Sequence, residues 1–378
     1  MFGPTAIEPA TGGECGMVLA SIEMSRRSWL IVIWTSVTDK LSHHELAGGD
    51  HAGLLALISR ARDRVVRVAG GAPRVASCYE AGFEGFWLHR ILCGAGVESL
   101  VIDPASLLVN RRRRRAKTDR LDAEDMVLAL LAHIRGDRRA LRVVRAPSVE
   151  EEDARRPGRE RARLIKERVA HENRLRGLLA LHGLWGVDLG DGAQLADLVG
   201  PRGAGLPAHL GAELERELAR LTLVRGQLKE LAGAARAARR AETGTAARIR
   251  HLMQLRGIGP ETSTILVHEF FYRDFDNRRQ VASAAGLDPT PFDSGRMRRE
   301  QGIAKSGNRR VRWVVVEVAW LWLRYQPESA LSLWYHARVG ENGRARRVMI
   351  VALARKLLVA LWRYLETGLV PKGAVLKR

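Results

Sequence analysis

The sequence predicts an α/β domain followed by a long, mostly helical remainder. Three observations predict it. Apolar runs rich in β-branched residues crowd the start of the chain. Strand and helix patterns then alternate up to about residue 104. From residue 148 onward, charged patterns at helical spacing take over.

Taken in order, residues 1–16 read as a flexible tail, and their "MFGPTAIEPATGGECG" lacks the basic and apolar regions of a signal peptide. Residues 17–147 read as the α/β domain. "MVLASIEM" and "SWLIVIWTSV" are strands broken at "SRR", and "DKLSHHELA" alternates as a third strand would. "DHAGLLALISRARDRVVRVAGG" has helical spacing and a glycine stop. "RVASCYEAG" reads as a fourth strand, "FEGFWLHRILCGAG" as a second helix and "ESLVIDP" as a fifth strand. Strands in a run, then alternation, imply a mixed sheet flanked by helices.

Residues 148–243 read as a helical arm. In its first helix Leu164, Val169, Leu175, Leu178 and Leu179 lie near one face, and Pro157 marks a kink or a helix start. A glycine-rich interval, 183–211, precedes a second polar helix that runs to about residue 240. Such a pair makes a hairpin or coiled-coil arm suited to dimerisation, although its apolar stripe could equally pack on its own domain. Residues 244–370 read as a mostly helical domain and 371–378 as a tail.

The 378 residues carry a formal net charge of +20 and a pI near 10.9. Such an excess favours DNA or RNA through counterion release, and much of it is arginine, which forks onto phosphate. No apolar run approaches the roughly 18 residues needed to span a bilayer. Cys15, Cys78 and Cys93 show no CxxC spacing, which argues against a disulfide framework or a zinc site and fits a reducing cytoplasm.

Three constellations carry chemistry. In "NRRRRRAKTDRLDAED", Arg111, Arg112, Arg113, Arg114 and Arg115 run into acids, and Asp119 and Asp122 share one helical face. Paired carboxylates are costly unless a cation lies between them. With Glu23 and Glu80 at strand ends, they could form an oxygen cage for two Mg²⁺ ions, with Mn²⁺ as an alternative. Glu124 and Asp125 point away from that face or flank it, as solvated residues. The second element, "LRGIGPETS", reads as a helix-hairpin-helix turn in which Gly257 and Gly259 let backbone approach a phosphate; an ordinary helix connector is the plain alternative. The third is "PFDSGRMRREQGIAKSGNRRVR". There Ser294 precedes Gly295 in a loop, with Arg296, Arg298, Arg299, Lys305, Arg309, Arg310 and Arg312 close in sequence. A serine attacking a phosphodiester needs its developing charge stabilised, which arginines can do. His43, His44, His171, His251 and His268 read as packing or surface residues, and Trp313, Trp320 and Trp322 as core.

These residues resemble a known family. "DPASLLVNRRRRRAKTDRLDAED", "ASIEMSRRSWLIVI", "ASCYEAGFEGFWLHR" and "LRGIGPETS…FDNRRQVASAAGLDPTPFDSG…QGIAKSGNRRVR" are similar, in order, to motifs of the insertion-sequence one-hundred-ten family of transposases. The resemblance spans about residues 17–370. It implies an RNase H-like, RuvC-type mixed-sheet domain with a DEDD tetrad, here Glu23, Glu80, Asp119 and Asp122. It also implies a C-terminal transposase domain whose catalytic serine is Ser294. Family chemistry would make a 5′-phosphoserine link to DNA, with the two sites brought together from different subunits of a tetramer built from homodimers. A structured noncoding bridge RNA would pair with donor and target DNA. Arg111 to Arg115 and Lys117 would hold nucleic-acid backbone, and the protein would work in the bacterial cytoplasm, at the nucleoid, with no membrane partner. One departure stands out: the first tetrad position is Asp in the common pattern and Glu23 here, one methylene longer.

Two alternatives stay open on the residues alone. One is a metal-dependent nuclease of the Holliday-junction type, in which water attacks. The other is a nucleic-acid-binding protein without catalysis.

Overall fold

The computed structural model describes residues 16–83, 85–106, 119–190, 195, 198–201, 203–294, 297–340 and 343–377. The chain folds as two units, Met1–Pro147 and Ser148–Arg378. Among the described residues no helix is long and apolar enough to cross a membrane.

The first unit is built on β1 (Met17–Met24), β2 (Ser28–Thr35), β3 (Leu41–Ala47), β4 (Arg74–Glu80) and β5 (Glu98–Ile102). They form one sheet in the order β3-β2-β1-β4-β5. The pairs β1–β2 and β2–β3 are antiparallel, whereas β1–β4 and β4–β5 are parallel. The mixed sheet flanked by helices is therefore present, in agreement with an RNase H-like domain.

Alternation along each strand decides which helix it meets. Val18, Ala20, Ile22, Trp29 and Ile31 face α1 (His51–Ala69) and α2 (Trp87–Gly94). Leu19, Val32, Trp34, Ala76 and Cys78 face α3 (Asp119–Ile134), through Ala123, Met126, Val127 and Leu130. The caps of α1 are the expected ones: Asp50 accepts from the Gly53 N–H, and Gly70 stops the helix at φ 72°. Gly16, read as the end of a tail, is buried, and its carbonyl accepts from the Arg74 N–H. The rest of that tail lies outside the described residues.

In the second unit, a capping box of Ser148 and Glu151 opens α4 (Val149–Asp153). Pro157 sits in the first turn of α5 (Arg156–Ala180), so it starts that helix and does not kink it. The partner of α5 is α6 (Ala208–Arg240), which runs antiparallel to it. Leu175 and Leu179 pack with Leu214 and Leu221, so the arm's stripe is used within the chain at these positions. Val169, expected on that stripe, is 41% exposed. Between the helices the buried Glu217 accepts from His171 Nδ1 at 2.7 Å and from Arg220. Burial pushes the Glu217 carboxyl up, and those two donors outweigh it, holding it below the usual range.

The remaining elements are α7 (Gly244–Met253), α8 (Pro260–Glu269), α9 (Arg278–Ala284), β6 (Pro289–Ser294), β7 (Met297–Ile303), α10 (Arg309–Tyr325), α11 (Ala330–Val339) and α12 (Gly343–Thr367). Their core gathers Leu252, Leu266, Phe270, Val315, Trp322, Leu357 and Leu361. Trp322 is fully buried and donates to Ser329 Oγ at 2.8 Å, but Trp313, also expected in the core, is 64% exposed. Residues 371–377, expected as a tail, are bonded along the turn between α7 and α8. The Arg256 N–H donates to Val375 O, the Lys377 N–H to Gln254 O, and the buried Gln326 bonds Val375 on both its N–H and its carbonyl.

Candidate active site

Four carboxylates are carried on one face of the sheet, toward one end of it. In the parallel register of β1 and β4, Ile22 lies opposite Tyr79, so Glu23 and Glu80 are the next pair along. Leu19 on β1, and Ala76 and Cys78 on β4, face α3; two-residue periodicity puts Glu23 and Glu80 on that face too. Two bonds fix the helix there. Ser21 Oγ donates to Ala123 O at 2.6 Å, and Cys78 Sγ donates to Met126 O at 3.6 Å. They bring the first turn of α3, with Asp119 and Asp122, to the strand ends that carry the glutamates. Asp119 is exposed, and Asp122, Glu23 and Glu80 are half-buried.

The donor set is all oxygen, which suits a hard divalent cation. Among the described residues, no three His, Cys, Asp or Glu side chains are close enough to form a preformed metal-holding group. The sequence thus brings the carboxylates to one edge without closing them into a cage. Arg111 to Arg115 and Lys117, expected to hold nucleic-acid backbone beside this edge, lie outside the described residues.

One expectation is corrected here. Glu124 is not a solvated flank: its Oε1 lies 2.8 Å from His43 Nε2 and 3.3 Å from Arg120 Nε, and its side chain is 19% exposed. His43 pairs in register with Val32, which faces α3, so alternation carries His43 to the same helix. That register was the signal by which His43 could have been placed beside the acidic helix.

The second candidate element lies in the other unit. Ser294 ends β6 and pairs with Met297 on β7, next to the turn of a two-stranded hairpin. Expected in a loop, it is the last residue of a strand. Gly295 and Arg296 lie outside the described residues.

The basic residues after it divide. Lys305, at φ 58°, and Arg309, in the first turn of α10, are exposed. Arg310 and Arg312, expected on nucleic acid, are taken up inside the unit. Arg310 donates to Glu269 Oε1 at 2.9 Å and to Gly158 O at 2.6 Å. Arg312 donates to the carbonyls of Ala285 and Ser306, both at 3.0 Å, and burial, with Arg309 nearby, lowers its pKa. Glu269, 3% exposed, also takes a two-pronged contact from Arg159, with both bonds at 3.0 Å. Burial raises its pKa, but Arg159, Arg310 and Asn308 together hold it below the usual carboxylate range.

The turn between α7 and α8 also divides. Gly257 has φ 87°, and a Cβ there would stand 3.2 Å from Tyr325 Cβ and 3.4 Å from Leu321 O. A left-handed backbone packed on α10 accounts for the glycine here. Gly259 caps α8 and has open space around it.

Two family models and several relatives match the chain. A family model described as Transposase IS116/IS110/IS902 family matches residues 249–333, which include Gly257, Gly259 and Ser294. A DEDD transposase model of the IS110 type matches residues 28–183, which include Glu80, Asp119 and Asp122 but begin after Glu23. The chain is 44% identical to y4rJ of Sinorhizobium fredii, a protein named as a transposase, over 99% of this chain and 97% of the relative. It is 31% identical to a family 20 transposase of Pseudomonas aeruginosa, over 66% and 73%. It is 26% identical to the transposase for insertion sequence element IS1111A of Coxiella burnetii, over 73% and 74%.

Proposed function

The chain belongs to the IS116/IS110/IS902 family of transposases, and from that premise we propose that it is an RNA-guided recombinase that cuts and rejoins DNA through Ser294. The observation that carries this reading is the shared edge of Glu23, Glu80, Asp119 and Asp122.

In the proposed reaction Ser294 Oγ attacks the phosphorus of a DNA phosphodiester. An Oγ–P bond forms and the bond from phosphorus to the 3′ oxygen breaks. The serine gives up its proton, and the departing oxygen takes one to become a 3′-hydroxyl. The 5′ end stays on the enzyme as a phosphoserine ester. A 3′-hydroxyl of the other duplex then reverses the step, so the energy of the phosphodiester is conserved through strand exchange. Glu23, Glu80, Asp119 and Asp122 would hold Mg²⁺ or Mn²⁺, which when bound neutralises charge at the scissile phosphate. Lys305 and Arg309, both exposed, would meet the DNA backbone, with Arg111 to Arg115, Lys117 and Arg296 as further contacts.

The carboxylates and Ser294 lie in different units of the chain. We place them together in the assembled tetramer, each site completed by residues of two subunits. The bridge RNA supplies specificity by pairing, while the +20 charge serves backbone contact with RNA and two duplexes.

The test is recombination between a donor plasmid and a target plasmid, with and without the noncoding RNA transcribed beside the gene. Recombinants that need the RNA, and follow compensating changes in its sequence, support the proposal. Recombination at unchanged sites without RNA would remove guidance from it.

A further inference from the structure

The second unit carries a basic cleft that the chemistry above does not use. Its volume is about 690 Å³. It lies between the start of α9, one side of α11, one face of α12 and residues 369–372. Arg278, Arg279, Arg355, Lys356, Arg363 and Lys372 line it. No acidic side chain is among the described lining residues, and Arg355 pairs with Asp288 at 3.4 Å. The floor between these cations is apolar and includes Leu331, Trp334 and Val359. Lys356 Nζ lies 4.7 Å from the Trp334 ring centroid. At the rim Leu369 is 71% exposed and Val370 40%.

We infer that this cleft binds an unstacked, single-stranded nucleic-acid segment, with phosphates on the rim cations and a base against the Trp334 wall. The inference rests on the nucleic-acid reading of the protein and adds a site to it. A duplex offers phosphates but keeps its base faces stacked inside, leaving the apolar floor without a partner. An acidic peptide offers anions without a flat apolar face to lie beside them. An unstacked nucleotide offers both at once, and stacking on an aromatic ring tolerates any base. Lys356 and Arg338, whose Cζ lies 5.0 Å from the same ring centroid, both sit on flexible stems, so either can leave the ring for a phosphate when a base arrives.

The experiment uses the full chain, fluorescein-labelled oligo-dT and oligo-U of equal length, and EDTA to stop any cleavage. Affinity is read by anisotropy across a salt series. Arg363→Glu should weaken binding about tenfold and reduce the salt slope by about one. Trp334→Leu should weaken it about fivefold or more, through lost stacking. Arg236→Glu, on the exposed surface of α6, makes the same change in net charge away from the cleft and should stay within about twofold. Should Trp334→Leu fail to fold, Arg363→Glu, on an exposed side chain, still decides. The tighter of the two oligonucleotides names the source as DNA or RNA. Equal weakening by Arg363→Glu and Arg236→Glu would overturn the site. So would displacement by polyglutamate of equal charge as readily as by unlabelled oligonucleotide. Because nothing is cleaved in EDTA, failure of the Ser294 chemistry leaves this measurement untouched.

Discussion

Arg310 donates to Glu269 Oε1 across 2.9 Å, and the Glu269 side chain is only 3% exposed. A residue that reads in sequence as a phosphate ligand is thus part of the unit's interior. The same carboxylate receives Arg159 from α5, so one glutamate ties the root of the arm to α8 and α10.

Replacing Glu269 with Gln leaves two guanidinium groups without their counter-charge. Breaking a buried pair costs about 3–5 kcal/mol, and the lower end applies because Arg159 is 57% exposed. The shift in urea midpoint of the purified variant measures it. The pH dependence follows from the depressed carboxyl. Its stabilisation is present above the ordinary glutamate range of about 4.3 and is lost as pH falls through the lower folded value. Glu269→Gln should flatten that acid limb.

Arg309 and Arg310 are neighbours with opposite expected behaviour. Arg310→Ala should lower thermal stability by about 1.5–3 kcal/mol, because it takes one of two guanidinium partners from the buried Glu269 and leaves Arg159 as the other. Arg309→Ala, on an exposed side chain, should leave the melting temperature within error and weaken DNA binding at low salt. Calorimetry and a binding titration on the same two proteins check both.

Ser21 Oγ is buried and holds Ala123 O at 2.6 Å. Ser21→Ala should cost about 0.5–1.5 kcal/mol by removing one buried hydrogen bond to a carbonyl that keeps its helical partner. Since the bond sets the head of α3 beside Glu23, DNA cleavage should fall further than DNA binding. Equal losses in both would remove Ser21 as a positioning residue.

Deleting residues 373–378 takes away Val375, both of whose backbone groups bond to the buried Gln326. The amide is left with unmet groups at about 1–3 kcal/mol each. A lower urea midpoint for the truncated chain is the expected outcome.

Much of the first unit was legible in sequence because its strands are short apolar runs bounded by turn signals. Val18, Ala20 and Ile22 meet one layer of helices, while Leu19 meets the other. The same period carries Glu23 and Glu80 to the edge where α3 begins. The hairpin of β6 and β7 was not legible, since "PTPFDS" and "MRREQGI" show neither alternation nor strong β-propensity. Its pairing is a tertiary outcome. Nor could sequence assign Arg310, whose partner is 41 residues away, or Glu124, whose partner His43 is 81 away. A charge looks solvated in sequence until the fold delivers its counterpart.

The central claim is that Ser294 is the nucleophile and the carboxylate edge enables it. The most direct test incubates the protein with labelled element-end DNA, its RNA and Mg²⁺, then separates the products on a denaturing protein gel. A covalent protein–DNA adduct should form, map to Ser294 and disappear in both Ser294→Ala and Asp119→Ala. Cleaved DNA with no adduct, and undiminished cleavage by Ser294→Ala, would contradict it and make the attacking group a water.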